Sequence, residues 1–415
     1  MATQNPRVWF KSISLENVRS FGTKQTINFT DKDGNAARWN VILGDNGTGK
    51  TTVLKGLLIS HPEFKNHPKL NTILRSRTLP TTIVVNRERI DVGRNDYLIS
   101  ESHYKWNGKS NKVERRFKGS KSLERVGFGQ AIASYPATRV ISESTQNKNY
   151  DAFDVFINGY EELVNAEEWL IQADYISLKA KEHTNHYKLV HDILLKLFRT
   201  QVDEIFINIE EGTPKVIFKT RYGDVRLHEL SLGYKTLIAW MVDFAKGLLD
   251  QYPDSPDPLA EPAVCLVDEI DLHLHPKFQR TIIKFLTETF PNTQFIVTAH
   301  SPLIVIAAEE RPLDANIILL KREGDQTVVV NDPVDVTNWS VDQVLNSDLF
   351  GEVSVRPPET EAKMQRRRVL LLTDERTHNE NQELEQLEEE LGMLTASESK
   401  EALRAFELIG KSLSR

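Results

Sequence analysis

The residues best placed to do chemistry lie in Gly44-Asp-Asn46-Gly47-Thr48-Gly49-Lys50-Thr51-Thr52. This is the complete Gly-x-x-x-x-Gly-Lys-Thr spacing of a phosphate-binding loop, and it follows directly on the apolar run Val41-Ile-Leu43. Each residue type has a separate job. The glycines let backbone N–H groups turn inward onto phosphate oxygens. Lys50 brings a positive charge to the β- and γ-phosphates, and the Thr51 hydroxyl offers an oxygen to Mg²⁺. The stretch that follows, Thr52-Val-Leu-Lys-Gly-Leu-Leu, suits a helix whose N-terminus faces the anion. The pattern predicts a nucleoside triphosphate and Mg²⁺ as ligands, held by Gly44, Asn46, Gly47, Thr48, Gly49, Lys50, Thr51 and Thr52.

Three later segments narrow the chemistry. Ala263-Val-Cys-Leu-Val-Asp268-Glu269 is an apolar strand ending in two acids. Asp268 can hold Mg²⁺ through water or Thr51. Glu269 can orient and polarise an attacking water if its strand lies next to the loop strand. Gln294-Phe-Ile-Val-Thr-Ala-His300 is a second apolar strand, ending in an imidazole able to bond a γ-phosphate oxygen and a water together. In Glu229-Leu-Ser231-Leu-Gly233-Tyr-Lys235, Ser231 and Gly233 fall where a helix would begin, an end that presents free N–H groups to an anion. An ordinary serine cap would leave the same trace. In Asp271-Leu-His273-Leu-His275-Pro276 the two histidines alternate onto one face of an extended segment, but no further ligand types flank them as a zinc site needs.

These residues need strands and helices to carry them. Residues 7–29 alternate like paired strands. Residues 80–140 carry short strand patterns with polar breaks and predict an antiparallel β portion. Residues 150–200 are mostly helical by period, as in Tyr187-x-x-Val190-x-x-Ile193-Leu194-x-x-Leu197-Phe198. Strands return at 204–220. Helix and strand then alternate from 230 to 320, with Ala263–Val267 and Gln294–Thr298 reading as buried parallel strands. Beyond about 325 the chain becomes charged and helical, with Gly392 as a C-cap and Ser397 as the cap of a last helix. The expected organisation is therefore α/β: a head over 1–325, with its antiparallel portion at 80–140, a helical insertion at 150–200 and the strand-end acids within 201–325. A helical extension over 326–415 follows.

Composition sets outer limits. No run reaches the roughly 18 apolar residues that span a bilayer, and Thr236–Leu249 is broken by Asp243 and Lys246. The first residues lack the apolar core of a signal peptide. With Cys265 the one cysteine, no intrachain disulfide can form, and a reducing cytoplasm is the expected compartment. The net charge of −7 speaks against a protein coated for nucleic acid. Two local basic runs remain, Arg115-Arg116-x-Lys118-x-x-Lys121-x-x-x-Arg125 and Lys363-x-x-Arg366-Arg367-Arg368, each read first as a solvated face.

Loop, serine segment, Asp-Glu strand and His strand, in that order, resemble the ATP-binding-cassette ATPases. Leu230-Ser231-Leu232-Gly233-Tyr234 departs from that family's Leu-Ser-Gly-Gly-Gln signature at two of five positions. Asn17-Val-Arg19-Ser-Phe21, the phosphate loop and Asp268-Glu269-Ile-Asp271-x-His273-x-His275-Pro276 resemble the branch holding RecF, SMC, Rad50 and the overcoming-lysogenization-defect ATPases. Within it the chain looks like the AAA15/AAA21-type ATPases of anti-phage systems, such as the Septu and retron-associated ones. The resemblance covers roughly residues 8–310. It implies a head-to-head homodimer sandwiching two ATP, with Ser231 and Gly233 acting in trans and Asp271 and His273 running across the dimer contact. It also implies Glu269 and His300 as catalytic residues, Thr51 and Asp268 on Mg²⁺, and Arg19 as a candidate for stacking on adenine, an exposed strand arginine being the competing reading. Gln130 or the turn Ser134–Arg139 stands in for the family's glutamine loop. A separate effector such as a nuclease is the implied partner, since residues 311–415 show no Asp-x-Asp of a nuclease domain. A RecF-like ATPase binding DNA directly, and an ATP-held scaffold with negligible turnover, are the alternatives.

Overall fold

The computed structural model describes residues 5–60, 81–90, 98–106, 113–118, 130–142, 159–179, 186–210, 212–309, 315–331, 333–351, 357–373 and 376–391. Its centre is a six-stranded mixed sheet. Strand β3 (Trp39–Gly44) carries the phosphate loop, β13 (Ala263–Val267) the Asp-Glu pair and β14 (Thr293–Thr298) the histidine. With β7 (Ala131–Tyr135), β15 (Asn316–Glu323) and β16 (Gln326–Val330) they lie in the order β16-β15-β3-β14-β13-β7. All neighbours are parallel except β15 and β16, which form a hairpin. Every residue of β13 and β14 is buried, because the sheet is covered on both faces.

One covering layer is a five-stranded antiparallel sheet, β2-β1-β4-β5-β6. It comprises β1 (Arg7–Glu16), β2 (Gln25–Asn28), β4 (Thr81–Ile90), β5 (Leu98–Trp106) and β6 (Val113–Lys118). Helix α1 (Lys50–Ile59) lies between this sheet and the central one. Its Val53, Leu54, Leu57 and Leu58 share one core with Ile13 and Leu15 of β1 and with Ile42, Val264 and Ile296 of the central sheet. Burying each such side chain contributes roughly 1.5–3 kcal/mol, so α1 is clamped between two sheets. The loop at its N-terminus inherits that rigidity.

Helices α2 (Ala166–Lys179) and α3 (His186–Phe198) and an antiparallel sheet of β10 (Val202–Glu210), β11 (Thr213–Thr220) and β12 (Gly223–Arg226) follow in the chain. The long helix α4 (Leu232–Gln251) lies on the other face of the central sheet. There Phe244 meets Phe295, which stacks on Trp39 at 4.3 Å. Two short helices, α5 (Pro276–Gln279) and α6 (Ile282–Thr289), lead into β14, and α7 (Pro302–Ala308) follows it. Among the described residues, no helix is long and apolar enough to cross a membrane.

The mixed α/β head, the antiparallel strands, the helices of the insertion and the helical tail are as the sequence predicts. Three boundaries and one strand neighbour differ. The antiparallel portion ends before 131, because β7 pairs parallel with β13 and forms the edge of the central sheet. Among the described residues the first helix of the insertion begins at Ala166. Ahead of it, β9 (Tyr160–Leu163) pairs parallel with β8 (Thr138–Ile141). The head does not stop at 325, because that residue sits in the turn of the β15–β16 hairpin; the chain divides into compact units between Val341 and Asp342. Asp268 and Glu269 do not come from a strand beside the loop strand, since β14 lies between β3 and β13.

The second unit, from Asp342, contains a hairpin of α9 (Pro358–Leu372) and α10 (His378–Leu391), numbered after the five-residue α8 (Val341–Leu345). Leu370, Leu371, Leu384 and Leu387 form its core. The basic run lies along α9: Arg366 pairs with Glu383, Arg367 with Glu388, and Lys363 with Glu359 and Glu390. Gly392 and Ser397 lie outside the described residues, as do Lys121 and Arg125 at the end of the first basic run.

Candidate active site

The loop after β3 is shaped by its glycines. Gly44, Gly47 and Gly49 have φ of 141°, 81° and 97°, values that L side chains rarely adopt. Two of them also admit a neighbour too close for a Cβ. At Gly44 a methyl would meet the Leu320 carbonyl oxygen at 2.4 Å, and at Gly49 it would meet Ser20 Oγ at 2.5 Å. Lys50 Nζ folds back to donate to the carbonyls of Gly44 (2.7 Å) and Asp45 (3.0 Å). Burial pushes the Lys50 ammonium below its ordinary range, opposed by the carboxylates of Asp268, Glu269, Asp45 and Asp271. The first turn of α1 has no acidic residue and no side-chain cap. Its N–H groups and dipole are left for an anion. Thr48 is the exception within the loop. It is buried, its hydroxyl bonds the Asp45 carbonyl, and its own carbonyl accepts from Thr327 and Ser20. It braces the loop from behind.

Asp268 reaches Thr51 across the intervening strand. Thr51 Oγ1 donates to one carboxylate oxygen at 2.5 Å, and Thr298 Oγ1 donates to the other at 2.6 Å. The same Thr298 hydroxyl accepts from the Glu269 N–H at 2.7 Å. Glu269 has φ +50°, a conformation disfavoured for a residue with a Cβ, and this bond helps to hold it. Arg139 donates to the carbonyls of Asp268 and Glu269 from below, its guanidinium over the Trp240 ring. The hydroxyl of Thr51 and the carboxylate of Asp268 are hard oxygen donors meeting at one point, a set that suits Mg²⁺. His300 is exposed, and its backbone N–H donates to the Asp271 carboxylate at 3.1 Å.

These groups share one cavity of about 730 Å³, lined by Arg19, Ser20, Asn46, Gly47, Gly49, Lys50, Thr51, Thr52, Asp268, Glu269, His300, Arg322 and Asp325. Arg19 is not in a strand. It projects from a tight turn closed by Val18–Phe21 bonds, with φ +46°. Ser231, Gly233, Asp271 and His273 are not part of the lining. Ser231 is exposed at the start of α4 and its side chain makes no cap bond there. Gly233 has an intrachain reason to be glycine, because a Cβ would come within 2.3 Å of the His273 carbonyl oxygen. Tyr234, at the signature's glutamine position, packs into an aromatic cluster with Phe198 and Phe278. His275 accepts from the Lys277 N–H as the cap of α5. Gln130 is buried away from the cavity, where its carbonyl accepts from Val8 N–H, so it pins β1. Arg139, in the alternative turn, is the member of that pair of candidates that touches the site.

Four contributors are missing from the sequence reading: Ser20, Thr298, Arg322 and Asp325. Thr298 hides in an apolar strand as one of its tolerated polar residues. Arg322 and Asp325 flank Glu323-Gly324, whose position between Asn316-Ile-Ile-Leu-Leu320 and Thr327-Val-Val-Val330 is a readable hairpin turn.

Several known proteins are similar to this chain in sequence. The Septu protein PtuA of Bacillus mycoides (strain KBAB4) is 24% identical over 92% of this chain and 50% of its own length. The Retron Ec83 probable ATPase of Escherichia coli is 38% identical over 46% of this chain and 34% of its own length. The chain thus spans half or less of those relatives. It spans more of the Septu protein PtuA of Bacillus thuringiensis, at 25% identity over 77% of this chain and 80% of that one. Among solved structures, the SMC head domain from Thermotoga maritima aligns over 79% of this chain and 100% of its own, with 16% identity and a TM-score of 0.46. Residues 39–307, from β3 to the helix after β14, match the AAA_21 model, described as "AAA domain, putative AbiEii toxin, Type IV TA system". The chain belongs to this family of ABC-type P-loop ATPases.

Proposed function

We propose that the chain hydrolyses ATP in a site completed by a second copy of itself. One observation carries this reading. A single cavity gathers Lys50, Thr51, Asp268, Glu269 and His300, yet takes nothing from the exposed helix start at Ser231. That helix start lies outside the lining of its own chain's cavity.

The loop N–H groups and those opening α1 cradle the phosphates, with Lys50 turning from its own loop carbonyls toward the β- and γ-oxygens. Thr51 and Asp268 hold Mg²⁺, which supplies charge neutralisation to the phosphate chain. Glu269 accepts a proton from the attacking water as its oxygen bonds the γ-phosphorus and the bond to the β,γ-bridging oxygen breaks. His300 bonds the γ-phosphate and reports its presence through Asp271. Ser231 and Gly233 approach the γ-phosphate of the other copy, while Asp271 and His273 run along the contact.

The relatives named Septu and retron ATPase support placing this cycle in an anti-phage complex, as the subunit that controls a separate effector, a nuclease. Direct DNA binding draws no support from the Lys363–Arg368 run, most of whose charges face glutamates.

The test is complementation. Lys50→Ala and Ser231→Arg should each abolish turnover alone. Mixed dimers should regain roughly half of the composite sites, and with them measurable hydrolysis. Verified mixed dimers without activity would sink the sandwich.

A further inference from the structure

The cavity has a second end, built from a part of the chain not yet given a task. In the central sheet β13 and β15 stand three strand steps apart, about 14 Å at the usual spacing. The phosphate loop leaves the strand between them that adjoins β15. Asp268 and Glu269 therefore approach the cavity from one side of the loop, and Arg322 and Asp325 from the other. Leu320 pairs in register with Gly44, so Arg322 lies two residues beyond the loop's first glycine, running alongside the loop itself.

This second rim is a fixed structure. Thr327 of β16 donates its N–H to the Ser20 carbonyl at 2.9 Å and its hydroxyl to the Thr48 carbonyl at 2.8 Å. Gln326 accepts from both the N–H and the hydroxyl of Thr23 at 3.2 Å. The hairpin, the Arg19 turn and the back of the phosphate loop are thereby tied together. Arg322 Nε donates to the Gly324 carbonyl at 3.1 Å, so its guanidinium is held across the turn. With the γ-phosphate at Glu269 and His300, as the proposed function places it, the nucleoside half of the nucleotide extends toward this rim.

We infer that Arg322 and Asp325 are specificity-determining residues that read the purine of the nucleotide, an inference that rests on the cavity being the ATP site. A carboxylate only accepts hydrogen bonds. It matches the exocyclic amino group of adenine and repels the carbonyl oxygen that guanine carries at the same ring position. A planar guanidinium lies readily on an aromatic face. Asp325 selects the base and Arg322 supports its ring.

The experiment measures hydrolysis and equilibrium binding of ATP, GTP and 2′-deoxyATP by the full chain as wild type, Lys50→Ala, Arg322→Ala and Asp325→Asn. A hydrogen bond to a charged group changes affinity by roughly tenfold or more, so Asp325→Asn should raise the KM and Kd for ATP about tenfold. It should lower them for GTP and act more on KM than on kcat. The effect should be equal on 2′-deoxyATP. Arg322→Ala should weaken both nucleotides together. An unchanged ATP-to-GTP ratio in Asp325→Asn overturns the inference, as does an effect that vanishes with 2′-deoxyATP, which would put the carboxylate on the ribose. Loss of ATP binding in Lys50→Ala with no change in the two hairpin variants removes this inference alone. Intact ATP binding in Lys50→Ala removes the site reading beneath it.

Discussion

Thr298 tests whether the Asp-Glu pair is set by a single hydroxyl. Thr298→Val keeps the shape and removes one oxygen that does two things: it donates to Asp268 Oδ1 and accepts from the Glu269 N–H. A hydrogen bond to a charged acceptor is worth about 1.5–3 kcal/mol, and leaving a half-buried N–H unsatisfied costs about 1 kcal/mol more. The new methyl returns about 0.8 kcal/mol of burial. The net loss is about 2–3 kcal/mol. For a unit of this size, at about 2.1 cal/mol/K of unfolding entropy per residue, that lowers Tm by about 3–4 °C. The same bonds hold Asp268 toward Thr51 and keep Glu269 at its positive φ, so loss of even half this energy in the transition state slows kcat by about tenfold. The assay pairs a thermal melt with steady-state phosphate release. Thr298→Ser, which restores the hydroxyl, should recover most of both. A Thr298→Val protein with wild-type Tm and kcat would refute the idea that this hydroxyl organises the site.

Three further outcomes are expected. Glu269→Gln should slow hydrolysis by roughly 10²-fold or more while ATP still binds, because the general base is lost and the cradle is not; unchanged turnover removes Glu269 from that role. Gly233→Ala should lower Tm by about 1–4 °C even without ATP, since its Cβ would strike the His273 carbonyl and overpacking costs about 1–3 kcal/mol. A residue serving only a partner's phosphate would leave the ATP-free melt untouched. Asp243 is pushed above the usual carboxylate range by burial, against the bonds from Tyr135 and Val164. A raised folded pKa gives stability that is full below the unfolded value and is lost as pH rises through the folded one. The urea midpoint of wild type should therefore fall relative to Asp243→Asn as pH climbs from about 4 toward neutrality, and parallel curves would contradict it.

The parts of the site written in local sequence were legible. The phosphate loop declares itself because glycine is forced wherever φ is positive or another backbone approaches, as at Gly44 and Gly49. Ala263–Val267 and Thr293–Thr298 read as buried strands because a sheet covered on both faces needs apolar residues at every position. What periodicity cannot encode is which strand lies beside which. Nothing local places β14 between the loop strand and the Asp-Glu strand, or sends Ala131–Tyr135 to the edge of the parallel sheet. Thr298 and Asp325 act across such non-local pairings, and Gln130 shows the converse. Its position suggested a role at phosphate, yet its amide is engaged by the Val8 N–H of a distant strand.

Gly233 joins two questions usually kept apart. Read as part of a signature, its lack of a side chain lets a helix start approach a phosphate of another copy. Within this chain the same bare Cα lets α4 pack on the carbonyl of His273, a residue itself at φ +63°. His273 follows Asp271, whose carboxylate takes the His300 N–H beside the cavity. A short path of contacts therefore runs from the helix start, through the packing of Gly233 on His273 and the 271–273 backbone, to the hydrogen bond between Asp271 and His300 at the cavity. If Ser231 is drawn onto a partner's nucleotide, as proposed, a displacement of the helix start would press on the 271–273 segment and, through Asp271, on His300 of its own site. The two composite sites of a closed pair would then report to one another through backbone contact, without any long-range rearrangement. Tyr234, packed against Phe198 and Phe278, anchors that helix start to the rest of its own chain.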